Sequence, residues 1–259
     1  MLVNAASRIL ELTRQASEVA ARMKASIIIP VYNEFRTLPQ VLLRVRNAEL
    51  PAGCLKEIIV VDDGSTDGSG HLLDFHAGET LSVHHSEVNF GKGTAIRVGL
   101  AKATGDVVLI QDGDLEYDPD DYQRIVRPIL DGQAEVVYGS RFLTGVEGMC
   151  WKNWIANKIL TLAANVLFGA SITDEATAYK AFNINVLRRM NLECRRFEFC
   201  PEVTAKVRRL GYRIHEVPIS YNPRGIEDGK KIRASDGFHA LWTLLRYRLT
   251  PRKRFEIRR

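Results

Sequence analysis

The sequence predicts an α/β fold built around a Rossmann-like, mostly parallel sheet flanked by helices. Four short runs rich in β-branched and aliphatic residues predict its strands: SIIIPV (26–31), EIIVVD (57–62), DVVLIQD (106–112) and AEVVYGS (134–140). Continuous apolar runs are typical of parallel strands that are covered on both faces. Helical stretches separate these runs, and the resulting β-α-β-α order favours a doubly wound sheet.

The segments between and after these strands predict the helices. The first half contains four of them, at residues 35–46, 68–76, 91–103 and 119–130. The second half contains a long apolar helix at 151–172, a strand at 178–182, a helix at 201–210, a strand at 212–220 and an apolar helix at 237–249. We expect an N-terminal helical extension (1–24), one large α/β domain (25–225) and a basic, amphipathic C-terminal helix with its tail (226–259).

The positive charge of the chain is concentrated at its C-terminus. The whole chain has a net charge of +5, whereas residues 222–259 contain 11 Lys and Arg against 4 Asp and Glu, a net charge of +7. A basic tail of this kind favours phosphate partners, on anionic lipid or on nucleic acid. We rank nucleic acid last, because the sequence lacks the aromatic-rich stacking motifs of nucleic-acid-binding proteins.

The sequence predicts a cytoplasmic protein that contacts a membrane only peripherally. Residues 1–24 contain Glu11 and Glu18 and have the pattern of an amphipathic helix rather than of a signal peptide. No run reaches the roughly 18 uncharged apolar residues of a membrane span. The apolar helix at 151–172 begins with Trp and Lys residues. It is therefore either a core helix or an interfacial helix on an anionic bilayer, and the residues leave both readings open.

The strongest chemical signal is Asp112-Gly113-Asp114, directly after the third predicted strand. Two carboxylates one residue apart repel each other unless a cation lies between them. Mg²⁺ or Mn²⁺ typically binds through one or two carboxylates together with substrate phosphates, and Glu116 is a further oxygen ligand within reach. The alternative is a solvated acidic turn that caps the helix predicted at Pro119.

Two other polar clusters lie at the ends of predicted elements. Asp62-Asp63-Gly64-Ser65 ends the second strand, where a carboxylate could hold a base or a ribose. Lys92, between two glycines at the start of a helix, is placed to approach a diphosphate. The segment lacks the upstream glycine of a Walker A loop, so an ordinary surface lysine is an equal alternative.

The ordered set PVYNE, VVDDGSTDGS, NFGKGTA, GDVVLIQDGDLEYDP and YGSRF resembles glycosyltransferase family 2, which implies the GT-A fold. TDEATAYKAF (173–182) and GYRIHEVPISYNPR (211–224) resemble segments of the dolichyl- and polyprenyl-phosphate sugar transferases in that family. The resemblance covers about residues 26–248. It implies a nucleotide-sugar donor, which the sequence leaves open between GDP-mannose and several UDP-sugars.

The resemblance also implies a role for each matching residue. The residues that would hold the nucleoside are Pro30, Tyr32, Glu34, Asp62 and Asp63. Asp112, Gly113 and Asp114 would meet the metal and the diphosphate, with Asp114 as the catalytic carboxylate. Glu116 stands where many relatives carry Gln. Arg141 would engage the phosphate of the acceptor, with an ion pair to Asp174 as the open alternative, and Lys152 or Lys158 would supply the second acceptor cation.

An absence in the sequence favours a lipid-phosphate acceptor. Family members that act on sugar hydroxyls usually carry a catalytic Glu-Asp pair and a Q-x-x-R-W motif, and this sequence has neither. A hydroxyl acceptor needs a general base, whereas a phosphate monoester, with a second pKa of about 6, is already anionic at neutral pH. We therefore expect transfer to a polyprenyl phosphate. The alternative is a family 2 enzyme that uses a sugar hydroxyl in cell-surface glycan assembly.

Overall fold

The computed structural model describes residues 23–145, 148–224 and 234–257. Seven strands form one sheet: β1 (Lys24–Val31), β2 (Leu55–Asp62), β3 (Leu81–His85), β4 (Val107–Ile110), β5 (Val136–Ser140), β6 (Lys180–Asn183) and β7 (His215–Pro218). Their order across the sheet is β3-β2-β1-β4-β6-β5-β7. The predicted Rossmann-like sheet is confirmed.

The described residues also form eight α-helices. They are α1 (Leu38–Asn47), α2 (Ser69–His76), α3 (Lys92–Lys102), α4 (Tyr122–Leu130), α5 (Trp151–Phe168), α6 (Ile184–Arg188), α7 (Phe199–Arg209) and α8 (Ala234–Leu249). Single 3₁₀ turns occur at Pro119–Asp121, Arg141–Leu143 and Arg252–Arg254. No helix in the described ranges is long and apolar enough to span a bilayer.

The sheet is parallel except at one strand. β1 pairs in parallel with β2 and β4, and β7 pairs in parallel with β5. β6 lies between β4 and β5 and runs antiparallel to both. The sequence predicted neither this reversal nor the edge strand β3, whose sequence LSVHH is partly exposed and lacks a continuous apolar run.

Cores on both faces of the sheet explain why the strand sequences are apolar without alternation. In β1, Ile28 packs into one core, whereas Ile27 and Ile29 pack into the core on the other face. Successive strand residues point to opposite faces, so a strand covered on both sides needs apolar residues at every position.

The long helix predicted at 151–172 ends four residues early, at Phe168. Gly169 has φ of +58°, in the left-handed region that favours glycine, and its N–H donates to the Asn165 carbonyl at 2.8 Å. The Asn165 side chain then accepts from the Ile172 N–H at 2.9 Å and donates to its carbonyl at 2.8 Å. The chain therefore reverses where apolar periodicity alone predicted continued helix.

The C-terminal helix and tail belong to the same folded body as the sheet. Leu244, Tyr247 and Phe255 are buried in the core that also contains Val203 and Val207 of α7. The predicted tail is thus anchored at Phe255 rather than being a free appendage. The predicted N-terminal extension falls almost entirely on residues 1–22, which lie outside the described residues.

A buried ion pair under the C-terminal helix generates a stability prediction. Lys206 and Glu202 are 0% and 1% exposed, and their side chains are in contact. Lys206→Met leaves the buried Glu202 carboxylate without its cationic partner, which costs roughly 3–5 kcal/mol. Urea unfolding should show that loss. The exposed Lys102 on α3 is the matched control, and Lys102→Met should change the free energy of unfolding by less than about 0.5 kcal/mol.

Candidate active site

The carboxyl ends of β1, β2 and β4 open into a cavity of about 380 Å³. Its lining contains most of the residues predicted for the donor and the metal: Pro30, Tyr32, Glu34, Asp63, Lys92, Asp112, Gly113, Asp114 and Glu116. Nine further residues line it without having been predicted as site residues: Val31, Asn89, Gly91, Arg196, Phe197, Arg224, Ser235, Asp236 and His239. The cavity lies where ligands of open α/β sheets bind.

The loops after β1 and β2 are cross-linked to each other. The Asn33 side-chain oxygen accepts from the Thr66 N–H at 2.8 Å, and the Asn33 N–H donates to the Ser65 hydroxyl at 2.9 Å. Asp67 accepts from the Phe35 N–H at 3.0 Å, so it too joins the loops. These bonds hold the first two strand ends as one rigid wall of the cavity.

The two aspartates at the end of β2 have different surroundings. Asp62 is 4% exposed and turns away from the cavity, where it accepts from the Ser65 N–H at 3.0 Å and contacts His85 Nδ1 at 2.9 Å. Asp63 lines the cavity and accepts from the Phe90 and Gly91 N–H groups at 2.9 and 2.7 Å. Burial raises the pKa of Asp63.

Asp62 therefore lies outside the lining of the cavity and fixes the loop and β3, and its predicted contact with the nucleoside stays a prediction. Consecutive residues of an extended chain point to opposite sides, which agrees with the different surroundings of these two carboxylates. Asp63 keeps the predicted position.

The Asp112-Gly113-Asp114 turn packs directly against the end of β1. A Cβ at Gly113 would lie 3.2 Å from the Pro30 carbonyl oxygen, so a side chain there would crowd the approach of the two strands. Burial, with the neighbouring Asp112 carboxylate as the next cause, raises the pKa of Asp114 to about 7. The turn concentrates negative charge that cations must balance.

Two cations of the protein balance this charge. Lys92 Nζ lies 2.5 Å from Asp112 Oδ1, and Arg224 Nη2 lies 2.6 Å from Asp114 Oδ2. Arg224 Nη1 also lies 3.2 Å from Glu34 Oε2. The Arg224 N–H donates to Glu116 Oε1 at 2.9 Å, so one arginine contacts three of the predicted site carboxylates.

The carboxylates fit a metal site that is shared with a ligand. Asp112 Oδ1 is buried and has no well-aligned hydrogen bond among the described residues, its contact with Lys92 being an ion pair. No group of three or more His, Cys, Asp or Glu side chains is arranged to share one ion in the described ranges. The predicted set of Asp112, Asp114 and Glu116 is therefore not assembled by itself. A pair completed by phosphate oxygens agrees with the preference of Mg²⁺.

Arg141 lies at the end of β5, outside the lining of the cavity, and is 6% exposed. Its Nε and Nη2 donate to the two oxygens of Asp174 at 2.7 and 2.8 Å. The guanidinium also lies 5.0 Å from the centre of the Tyr221 ring. The ion pair is the alternative that the sequence had left open, and the predicted contact with an acceptor phosphate stays a prediction.

Lys152 and Lys158 lie on α5, and neither lines the cavity. Lys158 Nζ lies 3.7 Å from the centre of the Phe142 ring, and Lys152 Nζ lies 5.7 Å from that of Trp151. The structure therefore does not bring the three predicted acceptor cations together at the cavity. These cations lie outside the cavity because of the way the second half of the chain folds. The apolar periodicity of the sequence did not predict that arrangement.

The unpredicted lining residues include several from segments to which the sequence analysis assigned no site residue. Arg224 lies four residues beyond the strand predicted at 212–220, and Asp236 and His239 belong to α8. Isolated charges carry little information about a site when their partners are distant in sequence. Arg224 and Asp114, for example, are 110 residues apart.

Comparison with known proteins agrees with this geometry. The model of the family "Glycosyl transferase family 2" matches residues 26–190. The undecaprenyl-phosphate mannosyltransferase of Micrococcus luteus is 33% identical over 221 residues, which cover 80% of this chain and 87% of that protein. The polyprenol monophosphomannose synthase of Mycolicibacterium smegmatis is 30% identical over 218 residues, covering 80% of each chain.

A solved structure extends the comparison to the fold. Glucosyl-3-phosphoglycerate synthase from Mycobacterium tuberculosis, in complex with Mn²⁺, UDP and phosphoglyceric acid, superposes with a TM-score of 0.68. The two sequences are 21% identical, and the match covers 91% of this chain and 82% of that one. The family match spans more than half of the chain. The protein therefore belongs to glycosyltransferase family 2 and has the GT-A fold.

Proposed function

We propose that this protein transfers a sugar from a nucleotide-sugar donor, GDP-mannose or a UDP-sugar, to a polyprenyl phosphate. The observation that carries the proposal is the cavity at the strand ends, where Asp63 and the Asp112-Gly113-Asp114 turn face the same space. Two relatives of at least 30% identity are named for transfer to, or synthesis on, a polyprenol carrier. The volume of the cavity suits a small-molecule ligand.

In this proposal each wall of the cavity holds one part of the donor. Asp63, with Pro30 and Tyr32 at the end of β1, would hold the nucleoside, and Lys92 would approach the diphosphate. A bound Mg²⁺ or Mn²⁺ would neutralise charge on the departing diphosphate. Asp112 and Asp114 would hold that ion together with phosphate oxygens, and Glu116 lies beside them.

The donor must also replace contacts that the protein now makes internally. Arg224 contacts Asp114 and Glu34, and Lys92 contacts Asp112. Once a metal and a diphosphate bring their own charges, these two basic residues become available to the phosphate groups. The pairs therefore keep the carboxylates compensated before the donor binds.

We also propose that the protein rests on the cytoplasmic face of a membrane through an apolar face on α5 and α8, two helices that pack together. Its exposed members are Trp151, Trp154, Ile155, Ile159, Leu162 and Val166 on α5, and Phe238, Trp242, Leu245 and Leu249 on α8. Each set repeats every three or four residues and so forms one stripe along its helix. Basic residues of the C-terminal segment would add attraction to anionic lipid.

The direct test of the acceptor is to follow label from the donor sugar. Radiolabelled GDP-mannose and UDP-sugars would each be incubated with undecaprenyl phosphate in detergent and a divalent cation. The proposal expects label in a butanol-soluble product that mild acid releases. A hydroxyl acceptor would instead place the label in a product without an acid-labile lipid linkage, and would need a general base. Asp236 and His239 line the cavity and are the candidates for that role.

A first prediction concerns the metal. Asp114→Asn should lower turnover about 100-fold or more, because a metal contributes several kcal/mol of charge stabilisation and each 1.4 kcal/mol is about tenfold in rate. Removing the metal with excess chelator should abolish wild-type turnover. Asp131→Asn, at an exposed site outside the cavity, is the control and should keep full activity. Full turnover in chelator would rule out the metal role.

A second prediction concerns the apolar face. The double variant Val166→Glu and Trp242→Glu should bind vesicles containing phosphatidylglycerol at least about 10-fold more weakly, because each buried large apolar side chain contributes roughly 1.5–3 kcal/mol. Co-sedimentation measures the effect. Phe75→Glu is the matched control, since Phe75 is 91% exposed but lies on α2. Equal binding of the double variant and the control would exclude this face as the contact.

A third prediction separates the two roles of Arg141. As the partner of Asp174, which is 0% exposed, its replacement by methionine should cost about 3 kcal/mol of folding free energy, because the buried carboxylate loses its cation. Asp174→Asn should show a similar loss in urea unfolding. A direct acceptor contact has an additional signature: Arg141→Lys, which keeps the charge but not the paired geometry, would strongly lower transfer to polyprenyl phosphate while leaving donor affinity unchanged.

A further inference from the structure

The loop of residues 193–198, which precedes α7, is held rigidly by two glutamates. Glu198 accepts from the Arg195 and Arg196 N–H groups at 2.8 and 3.0 Å. Glu202 of α7 accepts from the Glu193 and Cys194 N–H groups at 2.7 and 2.6 Å. The backbone of this loop therefore has a defined conformation, although its side chains at 195 and 196 are exposed.

The loop is also docked on the start of α3. The Gly93 N–H donates to the Arg196 carbonyl at 2.9 Å, and the Thr94 N–H donates to that of Arg195 at 3.0 Å. A Cβ at Gly91 would lie 2.5 Å from the Arg195 carbonyl oxygen, so the close approach requires glycine there. The loop and the segment carrying Lys92 thus form one continuous wall of the cavity.

Arg196 differs from the other basic residues that line the cavity. Lys92 is paired with Asp112, and Arg224 with Asp114 and Glu34. The Arg196 guanidinium makes no ion pair with any residue in ranges 23–145, 148–224 and 234–257. It lines the cavity beside Phe197, which is half-buried. An anion entering the cavity therefore meets Arg196 as a cation whose charge is not already compensated by a described carboxylate.

The same loop is tied to the helix that we place at the membrane. Glu193 Oε2 lies 3.0 Å from Arg246 Nη2 and accepts from the Tyr247 hydroxyl at 2.9 Å, and both partners belong to α8. α8 exposes Trp242 to solvent and contributes His239 to the lining of the cavity. The wall that carries Arg196 is therefore continuous with the helix along which a lipid would enter.

We propose that Arg196 binds the phosphate of the polyprenyl phosphate acceptor and that Phe197 contacts the adjoining apolar chain. The inference rests on the proposed function and names the residues that would give it an acceptor site. A guanidinium can hold a phosphate through two parallel hydrogen bonds, and an aromatic ring beside it suits the first isoprene unit. Arg141, Lys152 and Lys158 do not line the cavity, and the lining residues Lys92 and Arg224 are assigned to the donor phosphates, so Arg196 is the lining cation left for the acceptor phosphate.

Binding of a short acceptor measures this role without any transfer step. Farnesyl phosphate would be titrated calorimetrically into the protein with Mn²⁺ and the nucleoside diphosphate present, with farnesol as the uncharged comparison. Arg196→Gln should weaken farnesyl phosphate binding about 10- to 100-fold, the loss expected for hydrogen bonds to a charged group. The affinity of Arg196→Lys for farnesyl phosphate should lie between those of Arg196→Gln and the wild type, because lysine keeps the charge but not the paired geometry.

Arg195→Gln is the matched control, because Arg195 is the exposed neighbour of Arg196 and does not line the cavity. It should change farnesyl phosphate binding less than about twofold, as expected for a surface substitution. In the transfer assay, Arg196→Gln should raise KM for polyprenyl phosphate by the same 10- to 100-fold factor, about that of a lost charged hydrogen bond. Affinity for the nucleoside diphosphate and the melting temperature should stay at their wild-type values.

Two results would overturn the assignment. If Arg196→Gln binds farnesyl phosphate as the wild type does, the acceptor phosphate lies elsewhere. If the substitution weakens nucleoside diphosphate binding as much as farnesyl phosphate binding, Arg196 belongs to the donor site. A wild-type protein that transfers no sugar to polyprenyl phosphate would defeat the proposed function instead, and the titration would still decide whether Arg196 binds a prenyl phosphate.

Discussion

Repulsion between the two carboxylates at the end of β4 is the constraint on which the site depends. Asp112 and Asp114 are separated by one residue and are largely buried. Glu34 and Glu116 contact Arg224, the arginine that also contacts Asp114. Carboxylates in such a place become protonated or recruit cations. Here Lys92 and Arg224 supply the positive charge. A metal ion that binds together with a diphosphate would likewise supply positive charge beside these carboxylates.

The fold produces this concentration of charge through its strand ends. β1, β2 and β4 are parallel neighbours, so their carboxyl ends lie at one edge of the sheet, and Gly113 lets the turn after β4 approach Pro30. Glycines at 91 and 93 allow a second close approach, by which the loop of residues 193–198 joins the wall that carries Lys92. The second half of the chain then places α5 and α8 side by side, with an apolar stripe on each. The carboxylates at the strand ends and the apolar stripes therefore come from different halves of the sequence.

The sequence was most informative where a residue's role depends on its near neighbours. Strands covered on both faces need apolar residues at every position, and polar clusters follow such strands directly, so β1, β2 and β4 and nine of the residues that line the cavity could be predicted. β3 could not, because an edge strand with one covered face has no continuous apolar run. Asp62 and Asp63 could not be told apart without the direction of each side chain. The contacts of Arg224, across as many as 190 residues, and the position of Arg196 depend on tertiary structure alone.

We propose that the buried carboxylates accept a diphosphate only together with a divalent cation, and nucleotide binding measures this dependence most directly. Calorimetric titration of GDP and UDP would be carried out with Mn²⁺ and with chelator, in the absence of acceptor. If the bound nucleotide strengthens Mn²⁺ binding, Mn²⁺ must strengthen nucleotide binding by the same factor. One of the two nucleotides should bind at least about 10-fold more tightly with Mn²⁺ than with chelator, a coupling of about 1.4 kcal/mol. Equal nucleotide affinity with Mn²⁺ and with chelator would contradict it.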